Sequence, residues 1–334
     1  MSFRALVLDQ SDDGVRARVT TLDDAALDDA ALPDGDVTVA VEWSSLNYKD
    51  GMILGGIGRL VRTYPHVPGV DLAGTVVASS APDFAPGDRV VCTGFFVGER
   101  SWGGYAALAR VRSEWLVKVP DSLTTRRTME IGTAGLTAML CVDALERAGV
   151  TPDDGPVLCT GAAGGVGTYA VHLLARLGYQ VTASTGRPET EAYLRDLGAH
   201  AVIGRDEIGD LPAKPLLSER WAAAVDAVGG ATLAHVVAET RYGGTVAACG
   251  NTAGNDLATS VLPFILRSVH LVGVDSVSVP AARRAPQWAR LGELCDPGRL
   301  ADATTVIGLD DLPAAGARIL AGQVRGRILV DPTR

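Results

Sequence analysis

Two segments of this chain carry residues whose types and spacing suit the recognition of phosphate. The first is Gly161-Ala-Ala-Gly164-Gly165-Val166-Gly167, set between the apolar run Pro156-Val-Leu-Cys-Thr160 and a segment with Val171, Leu174 and Leu177 on one side. Glycines between a strand and a helix let backbone N–H groups and the positive helix end approach a pyrophosphate, which a Cβ atom would obstruct. The second is Ser184-Thr185-Gly186-Arg187, which ends the next apolar run, Gln180-Val-Thr-Ala-Ser184. A site that selects NAD has an Asp or Glu at the end of that strand for the ribose hydroxyls. Hydroxyls and a guanidinium there instead favour a 2′-phosphate, so the expected cofactor is NADPH. The plainer reading of Arg187 is a surface arginine after a turn. Arg205, after the third strand, either faces the same phosphate or is an ordinary exposed arginine.

These loops need a parallel sheet to hold them. From Thr128 a helical stretch runs through Leu145, and apolar strands then alternate with segments able to be helical, such as Val166–Leu177 and Leu233–Thr240. Beyond the two strands already named, these runs are Ala201-Val-Ile203, Ala222-Ala-Ala-Val-Asp226, Gly244-Thr-Val-Ala-Ala248 and His270-Leu-Val-Gly-Val274. Six such strands predict an α/β, doubly wound parallel sheet. Upstream, short β-type runs at Val37–Val41, Gly74–Val77 and Arg89–Cys92, punctuated by Pro-Gly and Gly-Asp turns, predict a small, mainly β domain. After about Ser276 come a helix candidate, another helix around Leu312–Ala321 and a last strand, Arg327–Val330. These are too few for a third domain and are expected to pack on the first. The predicted division is 1–127, 128–276 for the nucleotide-binding domain, and 277–334 returning to the first.

Composition narrows the function classes. A chain of 334 residues has room for two cores. A formal charge of −9 without a basic tract argues against nucleic acid, whose binding needs clustered Lys and Arg. No run approaches the ~20 uninterrupted apolar residues of a membrane span. The start, Met1 to Asp9, reads as a strand rather than a signal peptide, so a cytoplasmic protein is expected. Cys92, Cys141, Cys159, Cys249 and Cys295 are scattered, with no Cys-x-x-Cys, and disulfides are not expected. The acidic stretch from Asp23 to Asp36 twice contains Asp-Asp-Ala-Ala-Leu and reads as a solvated surface segment.

Ordered motifs run along the chain: Ser45-Leu-Asn47-Tyr48-Lys49-Asp50, Pro68-Gly69-Val-Asp71-Leu-Ala-Gly74, Pro86-Gly87-Asp88-Arg89-Val90, Gly132-Thr-Ala-Gly-Leu-Thr-Ala138 and the glycine loop. With these the sequence resembles the medium-chain dehydrogenase/reductase superfamily. The resemblance implies a Rossmann domain inserted in a split, GroES-like catalytic domain, a cleft between them where nicotinamide meets substrate, and a homodimer paired through the strand His270–Val274. Where the alcohol dehydrogenase branch has zinc ligands, this chain reads Leu46-Asn47-Tyr48 and Gly69-Val70-Asp71, and no metal is expected. Further likeness, at Trp102-Gly-Gly104, Tyr242-Gly-Gly244 and Pro263-Phe-Ile-Leu-Arg267 among others, is to the zinc-independent, quinone-oxidoreductase-like group of NADPH-dependent acrylyl-CoA reductases.

Hydride addition to an activated C=C needs a positioned nicotinamide and stabilisation of the enolate, without a Lewis acid. The function implied is therefore reduction of acrylyl-CoA to propanoyl-CoA. The resemblance places Asn47 and Tyr48 at the reacting centre. Tyr48 either relays a proton or walls the cofactor; phenols are weak acids, and solvent is the other proton source. Asp71 and Arg89 read as structural charges, and Lys49 and Asp50 as a local ion pair. For the cofactor the pattern implies Tyr48, Gly164, Gly165, Val166, Gly167, Ser184, Thr185, Arg187, Arg205, Cys249, Ser276 and Arg327. For the nucleotide of CoA the candidates are Arg59, Arg62, Arg283 and Arg284, with solvated surface arginines as the plainer reading. The alternatives are an NADPH quinone oxidoreductase and a protein that holds NADPH without turnover.

Overall fold

A computed structural model describes residues 2–12, 14–28, 35–301 and 303–334. The chain forms two compact units, one of residues 1–133, 276–293 and 302–334, the other of 134–275 and 294–301.

The second unit is built on a six-stranded sheet, all parallel. Its spatial order is Ala201–Gly204, Val181–Thr185, Val157–Cys159, Trp221–Asp226, Thr240–Ala248 and His270–Gly273. In sequence rank this is 3-2-1-4-5-6, the doubly wound order, in which the crevice for a nucleotide opens beside the first strand. The inner strands read as apolar runs because helices cover both faces: every residue of Val157–Cys159, Val181–Thr185 and Trp221–Asp226 is buried. Helix Gly165–Arg176 buries eight consecutive residues, Gly167 to Leu174. Leu158, Trp221, Ala224, Val236, Val237 and Val246 share the core.

The sequence groups all of 277–334 with the first domain, but Leu294–Ala301 lies with the second unit. Specific bonds hold it there. The Asp296 N–H donates to His172 Nε2 at 3.1 Å, and Arg299 Nη1 donates to the Asp196 carbonyl at 2.7 Å.

The first unit is mainly β. Its principal sheet runs Thr304–Gly308, Arg327–Asp331, Val37–Leu46, Asp71–Ser79, Arg89–Thr93 and Val117–Lys118, with Leu108–Val111 also paired to Val37–Leu46. A hairpin of Ser2–Ser11 and Gly14–Asp23 adds a second small sheet; only its first strand is legible in the sequence. Leu6, Leu8, Leu46, Ile53, Tyr105, Leu309, Ile328 and Val330 meet in one core. The last strand thus shares a core with the first. Of the acidic stretch, residues 29–34 lie outside the described residues. Asp36 is not merely solvated, since it accepts bonds from the Ser113 N–H at 2.6 Å and hydroxyl at 2.7 Å.

Helix Thr125–Arg147 is broken at Gly132, which has φ 53° and ψ −161°. Among the described residues it is the one helix long and apolar enough by composition to cross a membrane. Buried residues make up 78% of that apolar window, as in the core helix of a folded domain.

Candidate active site

In the first unit the Asn47-Tyr48 motif marks the point where strand Val37–Leu46 ends and helix Tyr48–Leu54 begins. Asn47 is the N-cap residue, and the carboxylate of Asp50 accepts its backbone N–H at 2.9 Å, satisfying a donor the helix cannot. Tyr48 follows with 39% of its surface exposed. Asp50 itself is wholly buried; its other oxygen accepts the Val70 N–H at 3.0 Å. Burial pushes the Asp50 carboxyl up to about 7, with backbone donors opposing and the nearby Asp71 charge assisting the rise.

Asp71 lies at the centre of a polar network around this turn. Its Oδ2 accepts the Ser45 hydroxyl at 2.6 Å, Asn47 Nδ2 at 2.9 Å and the Thr133 N–H at 2.8 Å, while the Thr133 hydroxyl donates to Oδ1. Arg327 completes it. Its Nη1 donates to Asn47 Oδ1 at 3.0 Å, Nη2 to the Ser45 hydroxyl at 2.8 Å and Nε to the Glu130 carbonyl at 3.1 Å, with Nη2 at 3.9 Å from Asp71. Asp71 and Arg327 are 0% and 3% exposed. A buried charge pair is tolerable when both ions are also hydrogen-bonded in this way. Gly132 makes room for it, since a Cβ there would lie 2.5 Å from Arg327 Nη2 and 2.8 Å from Asp71 Oδ2.

The geometry places several of these residues. Arg327, expected to contact cofactor, donates from all three guanidinium nitrogens within the network. Asn47 is committed to the same network by both ends of its amide. Lys49 does not pair with Asp50; its ammonium lies 3.0 Å from Glu99, while Asp50 is taken by backbone donors. Arg89 holds a loop as expected, donating to the Leu123 carbonyl at 2.8 Å. Ser45, Glu130, Gly132 and Thr133 were given no role from sequence. The signal for Gly132 was a glycine inside a helical pattern.

In the second unit Gly164 caps helix Gly165–Arg176, so the first-turn N–H groups of the glycine loop lack carbonyl partners within the helix. Gly161 has φ 58°, and a Cβ on Gly167 would lie 2.3 Å from the Gly161 carbonyl oxygen. The tight turn therefore requires its glycines. These features fit a dinucleotide's pyrophosphate.

At the next strand end the structure brings four predicted residues together. Ile203 pairs with Ser184 and Gly204 with Thr185, which carries Arg205 alongside Gly186; a Cβ on Gly186 would be 2.8 Å from Arg205 Cζ. Arg187 Nη2 donates to the Ala163 carbonyl at 3.0 Å, tying this cluster to the glycine loop. Sequence reasoning assigned nothing to Thr160 or Asp226. The buried Asp226 carboxylate accepts the Thr160 hydroxyl at 2.6 Å and the Gly229 N–H at 2.8 Å. Burial raises its pKa, and these donors oppose the rise. The partly exposed Cys249 bonds the Asp226 carbonyl through its N–H at 2.8 Å.

Of the arginines considered for CoA, Arg59, Arg62 and Arg283 are exposed. Arg284 is neither exposed nor available. It is 1% exposed and donates to the carbonyls of Thr93, Val277 and Val279 and to the Thr93 hydroxyl. Its burial is offset by donating through all three nitrogens. Ser276 lies in the first unit, partly buried, with its carbonyl against Gly94. Among the described residues no group of three or more His, Cys, Asp and Glu converges as a metal site would.

The alcohol dehydrogenase GroES-like domain family matches residues 33–121, and the zinc-binding dehydrogenase family matches 165–291. An acrylyl-CoA reductase of Ruegeria pomeroyi is 52% identical over 329 residues, covering 98% of this chain and 99% of the relative. The yhdH oxidoreductase of Salmonella enterica, solved in complex with NADP, is 51% identical with a TM-score of 0.94, covering 99% of both chains. A putative quinone oxidoreductase of Bacillus subtilis is 42% identical over 98% of both chains. Its structure, solved with NAD bound, has a TM-score of 0.92 and covers 99% of both chains. Likeness of this extent, joined to the Rossmann and GroES-like units, shows that the chain belongs to the medium-chain dehydrogenase/reductase family, in the quinone-oxidoreductase-like branch that contains the acrylyl-CoA reductases.

Proposed function

We propose that the protein is an oxidoreductase that reduces the C=C bond of acrylyl-CoA, a short 2-enoyl thioester, to propanoyl-CoA with NADPH. The observation that carries this reading is 52% identity, along 98% of the chain, to a protein named acrylyl-CoA reductase. NADPH, when bound, supplies a hydride to the β carbon.

The protein's own residues bind and orient. The N–H groups of Gly165, Val166 and Gly167 hold the pyrophosphate, and Gly164, whose N–H donates to the Gly161 carbonyl at 2.9 Å, shapes the turn against it. Ser184, Thr185, Arg187 and Arg205 hold the 2′-phosphate, and Tyr48, Cys249 and Ser276 line the rest of the cofactor. Tyr48, exposed at a capped helix start, faces the reacting centre and donates to the thioester oxygen or relays a proton. Asn47 holds Tyr48 in place, and Arg327 is a positioning residue that acts through Asn47. Arg59, Arg62 and Arg283 remain candidates for the CoA nucleotide.

The test follows NADPH absorbance with acrylyl-CoA, with crotonyl-CoA, a naphthoquinone and NADH beside it. Oxidation of NADPH, but not NADH, by acrylyl-CoA is expected. Turnover of naphthoquinone with none of either thioester would favour a quinone oxidoreductase, the reading supported by the name of the Bacillus relative. Binding of NADPH with no turnover of any acceptor would leave a cofactor-holding protein.

The same proposal includes a homodimer. Strand His270–Gly273 is the edge of the parallel sheet, and the adjacent Val261, Ile265 and Leu266 are 64%, 67% and 58% exposed. An edge strand beside an apolar patch suits pairing with a second copy. A cytoplasmic location is proposed as well, supported by five cysteines that are all free thiols.

A further inference from the structure

One loop of the first unit holds Gly94, Phe95, Phe96 and Gly98 at φ 78°, 52°, 59° and 75°. Glycine adopts such values readily, but a bulky aromatic does so only when its surroundings force it. For Phe95 those surroundings are plain. Its N–H donates to the Val277 carbonyl at 2.8 Å, its ring stacks on Trp115 with centroids 6.1 Å apart, and the buried Arg284 guanidinium lies 4.2 Å from its centroid. Phe95 is core. Phe96 is carried into the same strained conformation, yet its ring lies outside the core cluster and is partly exposed. The guanidinium of the exposed Arg100 sits 3.8 Å from its centroid.

The loop is fastened to two neighbours of the proposed site. At one end Gly94 lies against Ser276, so closely that a Cβ would come within 2.9 Å of the Ser276 carbonyl oxygen. At the other, the buried Glu99 pairs with Lys49 at 3.0 Å, beside Tyr48. A positive φ at a partly exposed aromatic whose ring packs under Arg100, between a residue assigned to cofactor and one assigned to the reacting centre, points to a functional position.

We infer that Phe96 and Arg100 form the acceptor subsite, the Phe96 ring limiting the length of the acyl chain and the Arg100 guanidinium meeting the anionic CoA moiety. The inference rests on the enoyl-thioester reading above. Phe96 is then a specificity residue: crotonyl-CoA carries one methyl group more than acrylyl-CoA, and such a group in an apolar pocket is worth roughly 10–200-fold.

The experiment measures kcat/KM for acrylyl-CoA and crotonyl-CoA with the wild type, Phe96→Ala, Phe96→Leu and Arg100→Ala. Phe96→Ala is expected to move the crotonyl-to-acrylyl ratio about tenfold toward crotonyl-CoA, with Phe96→Leu moving it less in the same direction. Arg100→Ala is expected to raise KM for both thioesters about tenfold while KM for NADPH stays put. A wild type active on these esters, with Phe96 variants of normal melting temperature and a ratio within about twofold of wild type, overturns the inference alone. So does an unchanged thioester KM in Arg100→Ala. A wild type inactive on both esters overturns the inference together with the reading it rests on.

Discussion

Arg327 donates from Nη1 to the side-chain oxygen of Asn47 at 3.0 Å, across 280 residues of sequence. The last strand therefore holds the residue that caps the Tyr48 helix. Arg327→Ala would leave the buried Asp71 carboxylate without its cation, a loss of about 3–5 kcal/mol. Calorimetry should show that loss, and kcat should fall more than NADPH affinity. If affinity for NADPH fell while kcat held, Arg327 would be a cofactor ligand instead.

Gly132→Ala meets two obstacles at once, a positive φ and the guanidinium of Arg327. The substitution is expected to cost about 2 kcal/mol or more. Chemical denaturation of the variant beside Gly164→Ala is the measurement. The Cβ at Gly164 would meet only a carbonyl at 3.2 Å and φ there is −84°, so that variant should be the less destabilised. Equal stability of the two variants would contradict the account of the kink.

Removal of Arg187 and Arg205 together should weaken NADPH binding and spare NADH. Each charged hydrogen bond contributes about 1.5–3 kcal/mol, so the double alanine variant should lose on the order of 100-fold or more in NADPH affinity by isothermal titration. An equal loss for both nucleotides would show that the pair supports the loop rather than reading a 2′-phosphate.

Asp50 makes stability pH-dependent in a definite direction. Its folded pKa, raised to about 7, exceeds the ordinary carboxylate value of 3.8. Between those values the folded state keeps a proton that the unfolded state has lost. Its contribution is thus complete below the lower value and declines as pH rises toward the upper one, by up to about 1.4 kcal/mol per pH unit. Thermal melts from pH 4 to pH 8 should show this slope, and Asp50→Asn should flatten it. A slope identical in both proteins would mean that Asp50 titrates normally.

Ile265→Glu places a charge on the exposed apolar patch beside the edge strand, and is expected to turn a dimer into monomers with little change in melting of the isolated fold. Light scattering decides. A monomeric wild type would remove the proposed homodimer.

The parts legible in the sequence were those whose cause is local. The inner parallel strands read as apolar runs because both their faces are buried, and the glycine loop was readable because its turn excludes a Cβ. Ser184 to Arg187 could be placed by counting along one βαβ unit. Contacts made by chain segments far apart were not legible. Arg284 looked like a surface arginine, and only the folded chain brings the carbonyls of Thr93, Val277 and Val279 around it. Lys49 has an acid beside it in Asp50, yet its partner is Glu99, 50 residues away. Gly132 lies in a run that reads as unbroken helix, and the purpose of its kink depends on Arg327.

Synthesis on a ribosome makes the order of these contacts matter. Asn47 emerges long before Arg327, and although strand Val37–Leu46 can pair early with Asp71–Ser79 and Leu108–Val111, its last residues Ser44 to Leu46 must wait for Arg327–Asp331. The Rossmann strands, all between residues 157 and 273, can meanwhile pair with one another. Because domains complete in order of emergence and distant pairings form late, the nucleotide-binding sheet is expected to mature first. The Tyr48 turn would then be among the last places to become ordered, so that a nascent chain binds nucleotide before it acquires an acceptor site.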